Sequence, residues 1–202
     1  MDHFQPVKAM IQRVCVFCAS SSKIDECYLR PAFALGQIFA REGITLIYGG
    51  GAVGLMGAVA DGALSRGGRV VGVIPHFMVE REWAHKGVQE LIVVHTMNER
   101  KERMRALAQA LVALPGGSGT LEELLEAISL KRLGMYLGPI VLLNTQGFFD
   151  HLLQLLERCI AERFMDPRHR QMWAVVKEPE EVLDAIRNSP PWQTCAVQFA
   201  AL

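Results

Sequence analysis

Apolar residues fall in short unbroken runs separated by longer amphipathic stretches. The runs Val14–Cys18, Ile44–Tyr48, Arg69–Ile74, Leu91–His95, Ala110–Leu114 and Pro139–Leu143 are rich in Val, Ile and Leu and do not alternate with polar residues. Strands buried on both faces of a parallel sheet read this way. Between them, segments 25–42, 53–66, 97–108, 119–133 and 148–162 carry helical spacing, as in the stripe Met56, Val59, Ala60, Ala63 and Leu64. A shorter strand near Trp173–Val176 and a helix over Pro179–Arg187, with proline at its start, close the series. The β-α-β-α order predicts an α/β fold of Rossmann-like, doubly wound type: a mostly parallel sheet of about six to seven strands with helices on both faces. No repeat or low-complexity linker interrupts the pattern, so residues 1–189 are expected to form a single domain, and residues 190–202, from Pro190-Pro191 on, a C-terminal tail. Segment 75–90 is too polar for a core helix and long for an α/β connection, which makes it a lid or cleft-wall candidate.

Composition narrows the partner. Half of the 202 residues are hydrophobic and 21% are charged, with 21 basic against 21 acidic side chains, so the chain is globular rather than disordered. Balanced charge without a Lys/Arg run argues against a nucleic-acid surface and for a small-molecule partner. The opening MDHFQPVKAMIQR has an acid at Asp2, a proline at Pro6 and no long apolar run, so neither a signal peptide nor a membrane span is expected, and a cytoplasmic location is. An odd count of five cysteines fits reduced thiols. Cys15-x-x-Cys18 has metal or redox spacing, but it lies within the first strand and no second Cys/His pair matches it; buried packing and no metal are expected. The six histidines are scattered. His76 and His85 fall in the lid candidate, as do Phe77 and Trp83, whose rings are suited to stacking on a base or to packing the loop down.

In open parallel sheets ligands bind beyond the carboxyl ends of the strands, and three such ends are unusual. After the second strand comes Gly49-Gly50-Gly51-Ala52-Val53-Gly54-Leu55-Met56-Gly57, a glycine-rich turn into a helix; Gly50, Gly51 and Gly54 let backbone amides approach an anion, although close helix–strand packing explains the glycines equally well. After the fifth strand, Pro115-Gly116-Gly117-Ser118-Gly119-Thr120 opens a helix, and free amides, the positive helix end and the Ser118 and Thr120 hydroxyls make a phosphate cradle of Gly116–Thr120. No lysine follows Gly119, so this is not a triphosphate loop. Nor is it the dinucleotide fingerprint, because the third strand ends in Pro75-His76-Phe77 rather than at an acid.

On the helix that follows, Leu121, Leu124, Leu125 and Ile128 define the expected buried stripe and leave Glu123 well off it, one turn from the cradle. The third unusual end is Met97-Asn98-Glu99-Arg100-Lys101. There the stripe Met97, Met104, Leu107 and Ala108 sets the inward face, Arg100 falls within it and Lys101 flanks it; an inward charge is functional or paired in a salt bridge. Ala19-Ser20-Ser21-Ser22, at the end of the first strand, adds hydroxyl donors beside the cleft, although a helix cap would need only one of them.

Together these residues resemble the Lonely Guy family of cytokinin riboside 5′-monophosphate phosphoribohydrolases, often mislabelled lysine decarboxylases, whose pattern pairs GGGxxGLMG with PGGxGTxxE. Both motifs stand here without substitution, and the likeness extends to VCVFCASS, the VIP after the third strand, MxxRKxxM and HRQMW. Ala19 stands where the family has glycine before its serines. The resemblance implies that Arg100 and Glu123 are the catalytic pair, that Gly116–Thr120 holds a 5′-phosphate, that Ser20, Gly50, Gly51, Gly54, Met97 and Lys101 contribute to substrate binding, that no cofactor is needed, and that the protein is a homodimer. It implies hydrolysis of the N-glycosidic bond of adenine or N6-prenylated adenine nucleoside 5′-monophosphates. Two other classes stand against it. A non-catalytic nucleotide-binding or molybdenum-cofactor carrier would keep the glycine loops without needing Glu123 or Arg100, and a pyridoxal-phosphate lysine decarboxylase would need a lysine-bearing cofactor site that no segment offers.

Overall fold

A computed structural model describes residues 10–81 and 83–199; the expectations placed on residues 1–9 and on the end of the tail lie outside the described residues. Seven strands alternate with helices in the order β1 (Arg13–Phe17), α1 (Glu26–Arg41), β2 (Thr45–Tyr48), α2 (Gly54–Leu64), β3 (Val70–Pro75), α3 (His76–Glu80), β4 (Glu90–Val94), α4 (Met97–Leu107), β5 (Ala110–Ala113), α5 (Ser118–Arg132), β6 (Ile140–Leu143), α6 (Asp150–Ala161), β7 (Ala174–Val176) and α7 (Val182–Asn188). The strands form one sheet in the order β4-β3-β2-β1-β5-β6-β7, and every pair is parallel. The expected doubly wound architecture is therefore present.

Strand periodicity divides the core into two layers. On β1, Val14 and Val16 enter one hydrophobic cluster while Cys15 and Phe17 enter the other; on β5, Ala110 and Val112 oppose Leu111 and Ala113 in the same way. The first layer packs under α1, α2 and α7, the second under α4, α5 and α6. Two-sided burial fails on β4, where Glu90 and Val93 are exposed because this strand is the sheet's edge. Cys15 and Cys18 are both buried. Helices α1 and α2 approach backbone to backbone: a Cβ on Gly62 would stand 2.0 Å from the Phe33 carbonyl oxygen, and one on Gly36 2.1 Å from that of Val59.

Segment 75–90 forms neither a core helix nor a free lid. After the short α3, Ala84 makes an antiparallel bridge with Gly51, His85 N–H donates to Gly50 O at 2.9 Å, and Ala52 N–H donates to Trp83 O at 3.1 Å. His85 is held in turn by Asp61 at 3.0 Å and by the Gly87 amide at 3.0 Å. The stretch from Pro190 also packs back onto the body: Trp192 Nε1 donates to Lys131 O at 2.6 Å and Ala196 is buried. Among the described residues no helix is long and apolar enough to cross a membrane.

Candidate active site

The strand order places the topological switch between β1 and β5, where the chain leaves the sheet on opposite sides and a crevice opens at the carboxyl ends. A cavity of about 530 Å³ lies there. Its walls come from the ends of β1 (Ser20, Ser21), β2 (Gly49, Gly51) and β3 (Ile74), and from the starts of α4 and α5.

Two charged side chains meet at its floor. Arg100, in the first turn of α4, and Glu123, in the second turn of α5, are each 4% exposed. Arg100 Nη1 donates to Glu123 Oε1 at 3.2 Å, Nε to Val73 O at 3.0 Å, and Nη2 to Gly49 O at 3.0 Å. The rigid guanidinium thus spans three elements, and it needs a glycine below it: a Cβ on residue 49 would stand 1.9 Å from Nη2. Burial pushes the Glu123 carboxyl up to about 7, against the Arg100 guanidinium, which draws it down. Arg100 N–H bonds to Thr96 O at 3.1 Å, and the Thr96 hydroxyl caps α4 by accepting from Glu99 N–H at 3.1 Å, which fixes the turn that presents Arg100.

Beside this pair, α5 starts at Ser118 with Gly117 as its N-cap and no side-chain cap. The first-turn amides have no intrahelical acceptors and face the cavity, with the positive end of the helix behind them. Ser118 is exposed and Thr120 buried. A Cβ on Gly116 would stand 2.2 Å from Thr120 Oγ1, so the glycine lets that hydroxyl lie close against the loop. The opposite wall is apolar: Ile74, Met78, Trp83 and Met97.

The model of a family described as possible lysine decarboxylase matches residues 56–186. The cytokinin riboside 5′-monophosphate phosphoribohydrolase LOG5 of Arabidopsis thaliana is 38% identical to this chain over 92% of it and 81% of that protein. The chain belongs to the Lonely Guy family. Arabidopsis LOG7, of the same description, is 39% identical over 93% of this Lonely Guy chain and 86% of its own. Among solved structures, the molybdenum cofactor binding protein of Rippkaea orientalis superposes with a TM-score of 0.68 at 23% identity, covering 89% of this chain and 97% of that one. The molybdenum cofactor carrier protein of Chlamydomonas reinhardtii gives 0.67 at 24%, covering 87% and 96%. Those two share the fold.

The Lonely Guy motifs converge on the cavity unevenly. Arg100, Glu123, Ser20, Gly51, Met97, Gly117, Ser118, Gly119 and Thr120 all line it, whereas Gly50, Gly54, Gly116 and Lys101 stand outside. Gly50 and Gly54 have positive φ, 76° and 66°, and shape the turn from behind. Lys101 turns to α5, its ammonium on Glu122 and 3.5 Å from Glu126. Two helix faces differ from the expected stripes. On α5 the buried positions are Thr120, Glu123, Leu124, Ala127, Ile128 and Lys131, while Leu125 is 40% exposed, so Glu123 sits on the inward face rather than the polar one. On α4 they are Arg100, Lys101 and Met104, with Met97 41% exposed at the cavity rim. Arg100, Lys101 and Glu123 take core positions because each pairs with a charge on the facing helix, and Lys131 because it donates to Gly138 O. Ser21, one of the hydroxyls expected beside the cleft, and Met56, from the α2 stripe, also line the cavity, as do Ile74, Met78 and Glu122, which residue patterns did not single out; Met78 falls in the segment marked as a wall. Among the described residues, the non-glycine positions with positive φ are Gln146 and Arg163, so Ala19 in the family's glycine position carries no such strain.

Proposed function

We propose that the protein hydrolyses the N-glycosidic bond of adenine or N6-prenylated adenine nucleoside 5′-monophosphates, releasing free base and ribose 5-phosphate. The observation that carries this is a buried carboxyl, Glu123, held by Arg100 beside an uncapped helix start in one cavity. The relatives named as phosphoribohydrolases of cytokinin riboside 5′-monophosphates support the same substrate class.

In this reading the 5′-phosphate accepts hydrogen bonds from the α5 first-turn amides and from the Ser118 and Thr120 hydroxyls, with Ser20 on the facing loop. The base lies toward Met78, Trp83 and Met97. As the C1′–N9 bond breaks, its electron pair leaves with the base and positive charge grows on the ribose; the Glu123 carboxylate stabilises that charge and takes a proton from the incoming water, whose oxygen bonds to C1′. The proton balances on the departing base. Arg100 keeps its charge throughout; it anchors Glu123 and borders the substrate rather than donating a proton. A nucleotide or molybdenum-cofactor carrier would have no use for this buried pair.

The same reading takes residues 1–189 as one nucleotide-binding domain and the protein as a cytoplasmic homodimer that binds no nucleic acid. Neutral net charge and the apolar Leu125, Leu133 and Met135 exposed on and after α5 support it; sedimentation velocity checks the dimer. To test the activity, AMP, N6-isopentenyladenosine monophosphate and the matching nucleosides are incubated with the protein and products separated by chromatography. Base released from the monophosphates alone supports the proposal, and no release from either sinks it.

A further inference from the structure

The hydrolytic reading leaves a group of buried charges unused. Lys101, the residue after Arg100, is 7% exposed yet stands outside the cavity. Its ammonium donates to Glu122, the residue before Glu123, and lies 3.5 Å from Glu126. Arg105, about one turn on, pairs with Glu126. Helices α4 and α5 are therefore joined by adjacent rungs: Arg100 to Glu123, Lys101 to Glu122 and Glu126, Arg105 to Glu126. An ammonium so buried is costly unless paired. If its only effect were to tie two helices, an apolar pair would do as well. What distinguishes Lys101 is adjacency: it follows Arg100 on α4, and its partner Glu122 precedes Glu123 on α5.

We propose that Lys101 is a positioning residue: by clamping Glu122 and Glu126 it fixes where the Glu123 carboxylate stands and the electrostatic field it stands in. This rests on the hydrolytic reading for its effect on turnover. The charges facing Glu123 are Arg100 and Lys101 from α4, and Glu122 and Glu126 from α5, with Arg105 behind Glu126. From β1 the thiols Cys15 and Cys18 face the same region, and burial keeps both protonated. Lys101 offsets the two flanking carboxylates, which otherwise favour a proton on Glu123. Its removal takes the cation from Glu122 and leaves Glu126 with Arg105 alone.

The test follows the Glu123 carboxyl by 13C NMR titration, alongside base release against pH, in wild type, Lys101→Met, Lys101→Arg and Glu126→Gln. Lys101→Met is expected to move the Glu123 midpoint up by roughly 0.5–1 pH unit. It should lower kcat near neutrality about two- to six-fold while KM changes by less than about two-fold. Lys101→Arg restores both, and Glu126→Gln moves the midpoint down. A merely structural rung would lower the melting temperature and leave the midpoint in place, and that result in Lys101→Met overturns the proposal. Should Lys101→Met fail to fold, Glu126→Gln decides alone: a downward midpoint supports the proposal and an unmoved one overturns it. A wild type that releases no base, with the NMR midpoints still moving as described, overturns the hydrolytic reading while the control of Glu123 by Lys101 stands.

Discussion

Arg100 Nη1 and Glu123 Oε1 stand 3.2 Å apart at the starts of two neighbouring helices, and each side chain is shielded from solvent. A guanidinium tied to two backbone carbonyls is a fixed charge, so the carboxyl beside it is the mobile partner in protonation. The pair joins α4 to α5 at the point where the strand order turns.

Turnover should rise with pH through about 7, because Glu123 works as the carboxylate and burial holds its proton to that value. Stability should run the opposite way. The folded-state value lies above the ordinary 4.5, so the stabilising contribution is complete below pH 4.5 and is lost as pH rises through about 7. At about 1.4 kcal/mol per pH unit the wild type loses roughly 3 kcal/mol over that window. Glu123→Gln should lack this loss, and denaturant melts of the two proteins at pH 5 and pH 8 measure the difference.

Gly49→Ala should damage catalysis by displacing Arg100. The added methyl would meet Arg100 Nη2 at 1.9 Å and the Met56 methyl at 2.9 Å, so Arg100 must swing away from Glu123. Misplacement on this scale costs about 100-fold in kcat. Steady-state kinetics with a circular dichroism spectrum separates this from unfolding.

Ser118→Ala and Thr120→Val should raise KM for the monophosphate about ten- to a hundred-fold each, the loss expected of a hydrogen bond to a charged group. Isothermal titration with ribose 5-phosphate should show the same weakening, and kcat should fall only a few-fold.

Much of this was legible in the sequence, and the limits have physical causes. Continuous apolar runs mark buried parallel strands because both faces are covered, as on β1 and β5, and the glycine loops fall where a helix must start close to a strand. Helix faces were harder. Leu121 and Leu125 mimic a core stripe on α5 while Leu125 faces outward, and Glu123 takes the inward place because Arg100 satisfies it from another helix. Apolar periodicity cannot separate a core face from an exposed apolar one, nor foresee a partner more than twenty positions away. For the same reason the pattern places Lys101 only beside the inward arc and does not foresee that its ammonium is held by Glu122 and Glu126. The wall built by Trp83–His85 depends on pairing with Gly50–Ala52, a tertiary contact without a local signal.

The central claim is that Glu123 performs the hydrolysis, and the most direct measurement is base release from AMP or N6-isopentenyladenosine monophosphate by wild type and Glu123→Gln, with nucleotide binding measured by calorimetry on the same samples. The account predicts equimolar base and ribose 5-phosphate from the wild type, a loss of roughly 1,000-fold in kcat for Glu123→Gln, and binding within a few-fold of wild type. Turnover preserved in Glu123→Gln would contradict it.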